Sequence, residues 1–204
     1  MAVAINGAGE GAMSDQVTDD ADVQQLVEEV ARLRGQVAQL QERAEQLDHL
    51  AHQDSLIDLP NRRGFLRELE RLIARVSRYD AKAAMLFVDV DGLKAINDSF
   101  GHCAGDQALI QVADLLSRGV RKSDVCARIG GDEFGILLEN ADEASAHETA
   151  GRLIDLIAGC EFVHDGDELP LSVAIGVGLI GASDTAATVM ARADEEMYRR
   201  KAAA

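Results

Sequence analysis

Apolar residues recur at alternating steps of three and four from Val23 onward: Val23, Leu26, Val30, Leu33, Val37, Leu40, Ala44, Leu47 and Ala51. This is a heptad with Val or Ala at a and Leu at d. A β-branched a position with Leu at d predicts a parallel two-stranded coiled coil, here a dimerisation stalk over residues 21–52. Across such a dimer Glu29 at g faces Arg34 at e, and Arg43 faces Asp48; both pairs attract. Gly35 falls at an outer f position, where it costs about 1 kcal/mol of helix propensity and disturbs no packing. The alternative is one amphipathic helix lying on a globular core, but only a narrow two-in-seven seam is apolar. Residues 1–20 are rich in Gly, Ala, Ser and Asp and carry no apolar period. They bury too little to offset their ordering entropy, which predicts a disordered tail.

Beyond His52 the period changes. Pro60 predicts a break just before it, and Asn61 an N-cap for a helix over 61–78 with Phe65, Leu66, Leu69, Leu72, Ile73 and Val76 at helical spacing. The apolar run 83–90 (AAMLFVDV) predicts a buried strand. Residues 104–118 read as a helix. Residues 124–129 and 134–138 flank Gly130-Gly131 and predict a β-hairpin, with both glycines at the tip where a tight turn calls for positive φ. A helix over 142–159, a strand over 171–179 and a helix over 185–202 follow. The order β-α-β-β-α-β predicts an α+β domain over 53–204, with helices packed on a mostly antiparallel sheet.

Composition narrows the chemistry. The 204 residues carry a net charge of −16, with no Trp and few other aromatics. Such a surface repels nucleic acid polymers and anionic membranes and offers few platforms for base stacking. Three scattered Cys (Cys103, Cys126, Cys160) have no metal-site spacing and suit a reducing cytoplasm. No apolar run predicts a membrane span, and no basic-then-apolar leader is read at the start.

The reactive groups cluster at strand ends. Asp89 and Asp91 lie two apart at the end of an apolar strand and therefore on one face of it. Carboxylates there are either solvated or bound to a cation. Arg128-Ile129-Gly130-Gly131-Asp132-Glu133-Phe134 places two more acids at the hairpin tip. If the hairpin lies beside the Asp89 strand, Asp89 and Asp132 converge. Such oxygen donors suit Mg²⁺, which takes one or two carboxylates plus substrate phosphates. The pattern points to a metal-dependent nucleotide enzyme.

These motifs resemble the GGDEF-domain diguanylate cyclases. Gly130-Gly131-Asp132-Glu133-Phe134 matches the family signature. Phe87, Asp89, Asp91, Lys94, Asn97 and Asp98 are similar to its strand motif, with Leu93 in place of an aromatic. Phe100-Gly101-His102 with Gly105-Asp106, and Ala193-Asp194 with Tyr198 and Lys201, match further motifs. The lead-in departs at Ile57 and Asp58, where the family has Thr and Gly.

The resemblance implies a palm-like nucleotidyl cyclase sheet and the condensation of two GTP into cyclic di-GMP by a homodimer. It implies two Mg²⁺ per active site, with Mn²⁺ as a substitute, held by Asp89, the Val90 carbonyl, Asp132 and Glu133. Asp132 then deprotonates the 3′-hydroxyl, with Glu133 or metal-bound water as the alternatives. Backbone amides of Gly92 and Leu93, with Lys94 and Lys201, meet the phosphates. Asn97 and Asp106 bind guanine; His102 either lines that pocket or caps a helix. Arg121 and Asp124 fit an inhibitory RxxD site for the product, or form a surface ion pair. Competing readings are a silent cyclic di-GMP receptor and a coiled-coil module. A signalling partner on the stalk is a further expectation.

Overall fold

A computed structural model of the chain describes residues 11–202, which fall into two units, one ending at Leu50 and one beginning at Ala51. The first unit is helix α1 (Gly11–His52), whose last two residues belong to the second. Its seam residues Leu26, Val30, Leu33, Val37 and Leu40 are all exposed, between 45% and 64%. An aliphatic stripe this open buries nothing within the unit. The side chains of Val23 and Leu47 lie outside the described residues. Within one chain Glu29 accepts from Arg32, three residues on, at 2.6 and 2.7 Å.

The expected tail differs in part. Residues 1–10 lie outside the described residues, but 11–20 are helical. No proline precedes Pro60. An established helix extends by one hydrogen bond for each residue added, so it runs upstream past its apolar seam.

The second unit is an α+β domain. Helix α2 (Arg62–Tyr79) precedes strand β1 (Ala83–Val90). Helices α3 (Leu93–Phe100) and α4 (His102–Gly119) lead to strands β2 (Val125–Arg128) and β3 (Glu133–Glu139). Helix α5 (Glu143–Ala158), the small hairpin β4 (Val163–His164) and β5 (Asp167–Glu168), strand β6 (Val173–Ile180) and helix α6 (Ala186–Lys201) complete it. The main sheet has the order β2-β3-β1-β6, antiparallel throughout. Asn61 caps α2 as its sequence position suggests, accepting from the amides of Arg63 and Gly64 at 2.9 and 3.1 Å.

Strand alternation divides the core into two layers. Ala84, Leu86, Val88 and Val90 face α4 and α5 across one layer. Ala83, Met85 and Phe87 face α2 and α6 across the other. Phe65 and Leu69 of α2 are wholly buried, worth about 1.5–3 kcal/mol each.

Helix α6 lies unusually near the sheet because β6 carries glycines beneath it. A Cβ on Gly176 would stand 2.1 Å from the Ala193 carbonyl oxygen and 2.2 Å from the Met197 nitrogen. On β3, a Cβ on Gly135 would strike the Phe65 ring. β6 is also a sheet edge, and α6 reaches over it. Glu196 accepts from the Val177 N–H and Arg192 donates to the Leu179 carbonyl, so two outward backbone groups are satisfied from within the chain.

Candidate active site

Three elements end at one place: β1, the β2–β3 turn and the start of α3. The register sets Asp89 opposite Glu133. The Val90 N–H donates to the Asp132 carbonyl at 2.9 Å. Residues 90 and 132 therefore form a hydrogen-bonded pair and 89 and 133 a non-hydrogen-bonded one, with Cα atoms about 4.5 Å apart. Both acids project from the sheet face covered by α2 and α6, continuing the rows 83-85-87 and 135-137. Burial pushes the Glu133 carboxyl above its ordinary value, and the charges of Asp132, Asp89 and Asp194 push it further; Arg62 opposes them. Glu133 thus sits among acids whose repulsion a bound cation would relieve.

Lys201, in the last turn of α6, donates to Asp89 Oδ1 and lies 3.1 Å from Asp91 Oδ1. Its ammonium is held protonated above the usual lysine value, first by the bond to Asp89 and then by Asp91, against partial burial. Asp91 is fixed in turn by Ser172, whose hydroxyl donates to Oδ2 at 2.9 Å and whose carbonyl accepts the Asp91 N–H at 2.9 Å. Among the described residues, no three His, Cys, Asp or Glu side chains gather into a ready-made metal cage. The donors nonetheless fit Mg²⁺. They are hard carboxylate oxygens on adjacent strands, and Mg²⁺ takes few protein ligands and completes its shell with phosphate and water.

The signature turn differs from a two-residue hairpin. Neither Gly130 nor Gly131 has positive φ. Three residues, Gly130 to Asp132, bridge Ile129 and Glu133, and the amides of Ile129 and Gly130 both donate to the Glu133 carbonyl at 2.9 and 3.2 Å. Spreading the reversal over three residues removes the need for left-handed backbone. Gly130 serves a different purpose: a Cβ there would stand 2.1 Å from Glu133 Oε2. Its bare Cα is where the Glu133 carboxylate rests.

Two guanidinium groups pin this turn. Arg128 donates from Nη2 and Nε to the Gly131 carbonyl at 2.7 and 3.3 Å, and from Nη1 to Asp54 Oδ1 at 3.2 Å. Arg62 donates to the Ile129 carbonyl at 3.3 Å. Asp54 also accepts from the amides of Leu56 and Ile57, and the Arg128 N–H donates to the Pro60 carbonyl. The lead-in is therefore bonded to the turn through Asp54 and Pro60, and Ile57 is buried.

Beside the acids, Gly92 takes φ 69° to open α3, a conformation that favours glycine. The amides of Gly92 and Leu93 thus stand at a helix N-terminus, a natural seat for phosphate oxygens. Lys94 is exposed in that first turn. Asn97 and Asp106 lie on either side of Gly101, where α3 turns into α4. Asn97 Oδ1 lies over Gly105, 2.1 Å from where a Cβ would be, and Asp106 follows, exposed, as does His102. Arg121 and Asp124 sit elsewhere, at the Glu139 end of β3, about 20 Å along the strand from Glu133. Asp124 accepts from the amides of Arg121 at 2.9 Å and Glu139 at 3.2 Å, while Arg121 is exposed.

Sequence reasoning assigned no role at the turn to Arg62 or Arg128, and Asp194 stood only as a motif match, without its effect on Glu133. Arg128 carries a local signal, standing two residues before the glycine pair, whereas Arg62 lies 67 residues from Ile129 and carries none.

Residues 51–204 match the family model described as diguanylate cyclase, GGDEF domain. The diguanylate cyclase TpbB of Pseudomonas aeruginosa is 37% identical over 187 residues, 89% of this chain and 43% of that protein. The probable diguanylate cyclase DgcE of Escherichia coli is 39% identical over 157 residues, 76% of this chain and 14% of that protein. The chain thus spans less than half the length of either relative. Among solved structures, the coiled coil and GGDEF domain of DgcB from Caulobacter crescentus, in complex with c-di-GMP, superposes with a TM-score of 0.80. It is 25% identical and covers 87% of this chain and 95% of that one. The GGDEF domain of TpbB superposes at 0.71, with 38% identity over 75% of this chain and 90% of that one.

Proposed function

Because the chain belongs to the GGDEF-domain diguanylate cyclase family, we propose that it condenses two GTP into cyclic di-GMP and two pyrophosphates, as a homodimer joined through the α1 seam. The observation that carries this reading is the pairing of Asp89 with Glu133 and of Val90 with Asp132, set beside the N-terminus of α3.

Asp89, the Val90 carbonyl, Asp132 and Glu133 would hold the Mg²⁺ ions. Bound there, the metal supplies positive charge to the triphosphate and acidifies the attacking hydroxyl. The rest of the work falls to the chain. The Gly92 and Leu93 amides and Lys94 orient the phosphates. Asp106 accepts from the guanine N1 and N2 donors, and Asn97 adds its amide; adenine offers an acceptor at N1, so ATP is disfavoured. His102 borders that pocket. In the reaction the 3′-oxygen of one GTP bonds to the α-phosphorus of the other, and the bond to pyrophosphate breaks. Asp132 or Glu133 takes the 3′-hydroxyl proton. One domain holds one GTP, so two must face each other.

The stalk supplies that meeting. Tethering two domains raises their effective concentration, and an aliphatic stripe of heptad spacing suits a parallel partner helix. Arg121 and Asp124 form the product-inhibition site, with the Arg121 guanidinium forking onto a phosphate or guanine edge. No helix among the described residues is long and apolar enough to cross a membrane. A cytoplasmic location is part of this reading; the three free thiols and a GTP substrate suit a reducing compartment.

The test is to incubate the protein with GTP and Mg²⁺ over a range of protein concentrations and to separate the nucleotides by chromatography. Cyclic di-GMP is expected from the wild type and none from Asp132→Ala, which should remain a dimer. Binding of cyclic di-GMP without turnover would overturn the reading in favour of a receptor.

A further inference from the structure

The sheet-facing row of α6 runs Val189, Ala193, Met197 and then Lys201, one step of four at a time. The first three are buried against glycine-bearing β6. The fourth step carries the row past the apolar layer to the acids that end β1. Lys201 is therefore delivered to Asp89 and Asp91 by the same close helix-to-sheet approach that Gly176 permits. Its ammonium bridges both carboxylates, and Ser172 holds the second one still.

We propose that Lys201 is the resident counter-ion of Asp89 and Asp91, and that divalent cations enter this site only together with a triphosphate. The inference rests on the reading of the site given above. A dication arriving alone at Asp89 must break that ion pair and sit beside an ammonium that Asp91 still holds in place, so like charges face each other at short range. A cation arriving with a nucleotide brings its own acceptors. The phosphate oxygens take the ammonium from Asp89, and the freed carboxylate takes the metal. Metal and nucleotide then bind with positive coupling, each tightening the other by the same factor. Lys201 is the element that sets the factor, because it is the group that must change partners.

The experiment measures free Mn²⁺ by electron paramagnetic resonance during titration of the full chain, first without nucleotide and then with a non-hydrolysable GTP analogue. Lys201→Met keeps the aliphatic stem and removes the charge; Lys201→Gln serves as a second variant. Arg200→Met makes the same charge change one residue away, where the partners are Glu196 and His147. Without nucleotide, both Lys201 variants are expected to bind Mn²⁺ at least 10-fold more tightly than the wild type. Arg200→Met should stay within 2-fold, and adding Asp89→Asn to Lys201→Met should abolish the gain. With the analogue, the coupling factor of the wild type should shrink in the Lys201 variants. Equal Mn²⁺ affinity of wild type and Lys201→Met overturns the proposal, as does an equal gain in Arg200→Met. If the wild type binds no Mn²⁺ with the analogue, the cyclase reading fails instead, while the nucleotide-free comparison still judges the lysine.

Discussion

Replacing Arg128 by Met should loosen the turn that carries Asp132 and Glu133. The guanidinium makes two bonds to the Gly131 carbonyl and one to Asp54, and the two side chains are only 15% and 17% exposed. Hydrogen bonds to a charged group are worth about 1.5–3 kcal/mol each when well made. Two of the three bonds here are longer than 3 Å, and Asp54 keeps the amides of Leu56 and Ile57 when Arg128 is gone. The net loss should therefore be about 2–3 kcal/mol. Asp54→Asn should cost about 1 kcal/mol, and the coupling between the two substitutions should be about 1 kcal/mol, as for side chains in direct contact. Urea unfolding followed by circular dichroism measures all three. Catalysis reports separately. A displacement of the acids by about 1 Å can cost about 100-fold in rate. The KM for GTP should change little, since Asn97 and Asp106 lie on α3 and α4 rather than on the turn. A double-mutant coupling below about 0.3 kcal/mol, or an unchanged kcat in Arg128→Met, would refute the idea that this arginine positions the turn.

Gly176→Ala should drive a methyl group into the α6 backbone at the Ala193 carbonyl, costing about 3 kcal/mol and lowering the melting temperature by roughly 6–10 °C; an unchanged melting temperature refutes the close contact. Asp184 is held down to about 2, chiefly by its bonds to Arg192, against an ordinary value of 3.8. A depressed carboxylate adds stability above its unfolded value and loses it as pH falls through the folded one. Asp184→Asn should therefore cost about 1–2 kcal/mol at pH 7, and the gap to the wild type should close between about pH 4 and pH 2 in pH-dependent melting experiments. A gap that persists at pH 2 rules out the ion pair as its source.

The long apolar periods were readable because each stands on one dominant face. The heptads from Val23, the α2 row through Phe65 and Leu69, and the run ending at Asp89 all declare their elements without help from tertiary contacts. Asn61 is equally legible, since a cap acts within three residues of itself. Helix α3 escaped notice because its eight residues carry only Leu93 and Ile96 inward and follow a left-handed glycine. The β4–β5 pair is two residues a side and makes no periodic signal. Gly130 and Gly131 misled for a physical reason. A Gly-Gly pair suggests positive φ, whereas here Gly130 makes room for a neighbouring carboxylate. In the site, the hairpin and strand pattern brought the Gly-Gly acids to the Asp89 strand but matched Asp89 with Asp132, whereas the register sets Glu133 opposite Asp89 and Asp132 opposite Val90. The bond from Arg128 to Asp54 and the approach of Lys201 to Asp89 join residues 74 and 112 apart in the chain, beyond the reach of any local spacing.

The plugged rim of β6 bears on how this chain behaves when it is abundant. An open strand edge is a template for runaway zippering of identical molecules into fibrils. Glu196 and Arg192 occupy the Val177 amide and the Leu179 carbonyl, so a second molecule gains nothing by aligning there until it has displaced an acid and a base already at home. If the chain works as the proposed homodimer, this edge is shielded from competing with the productive pairing.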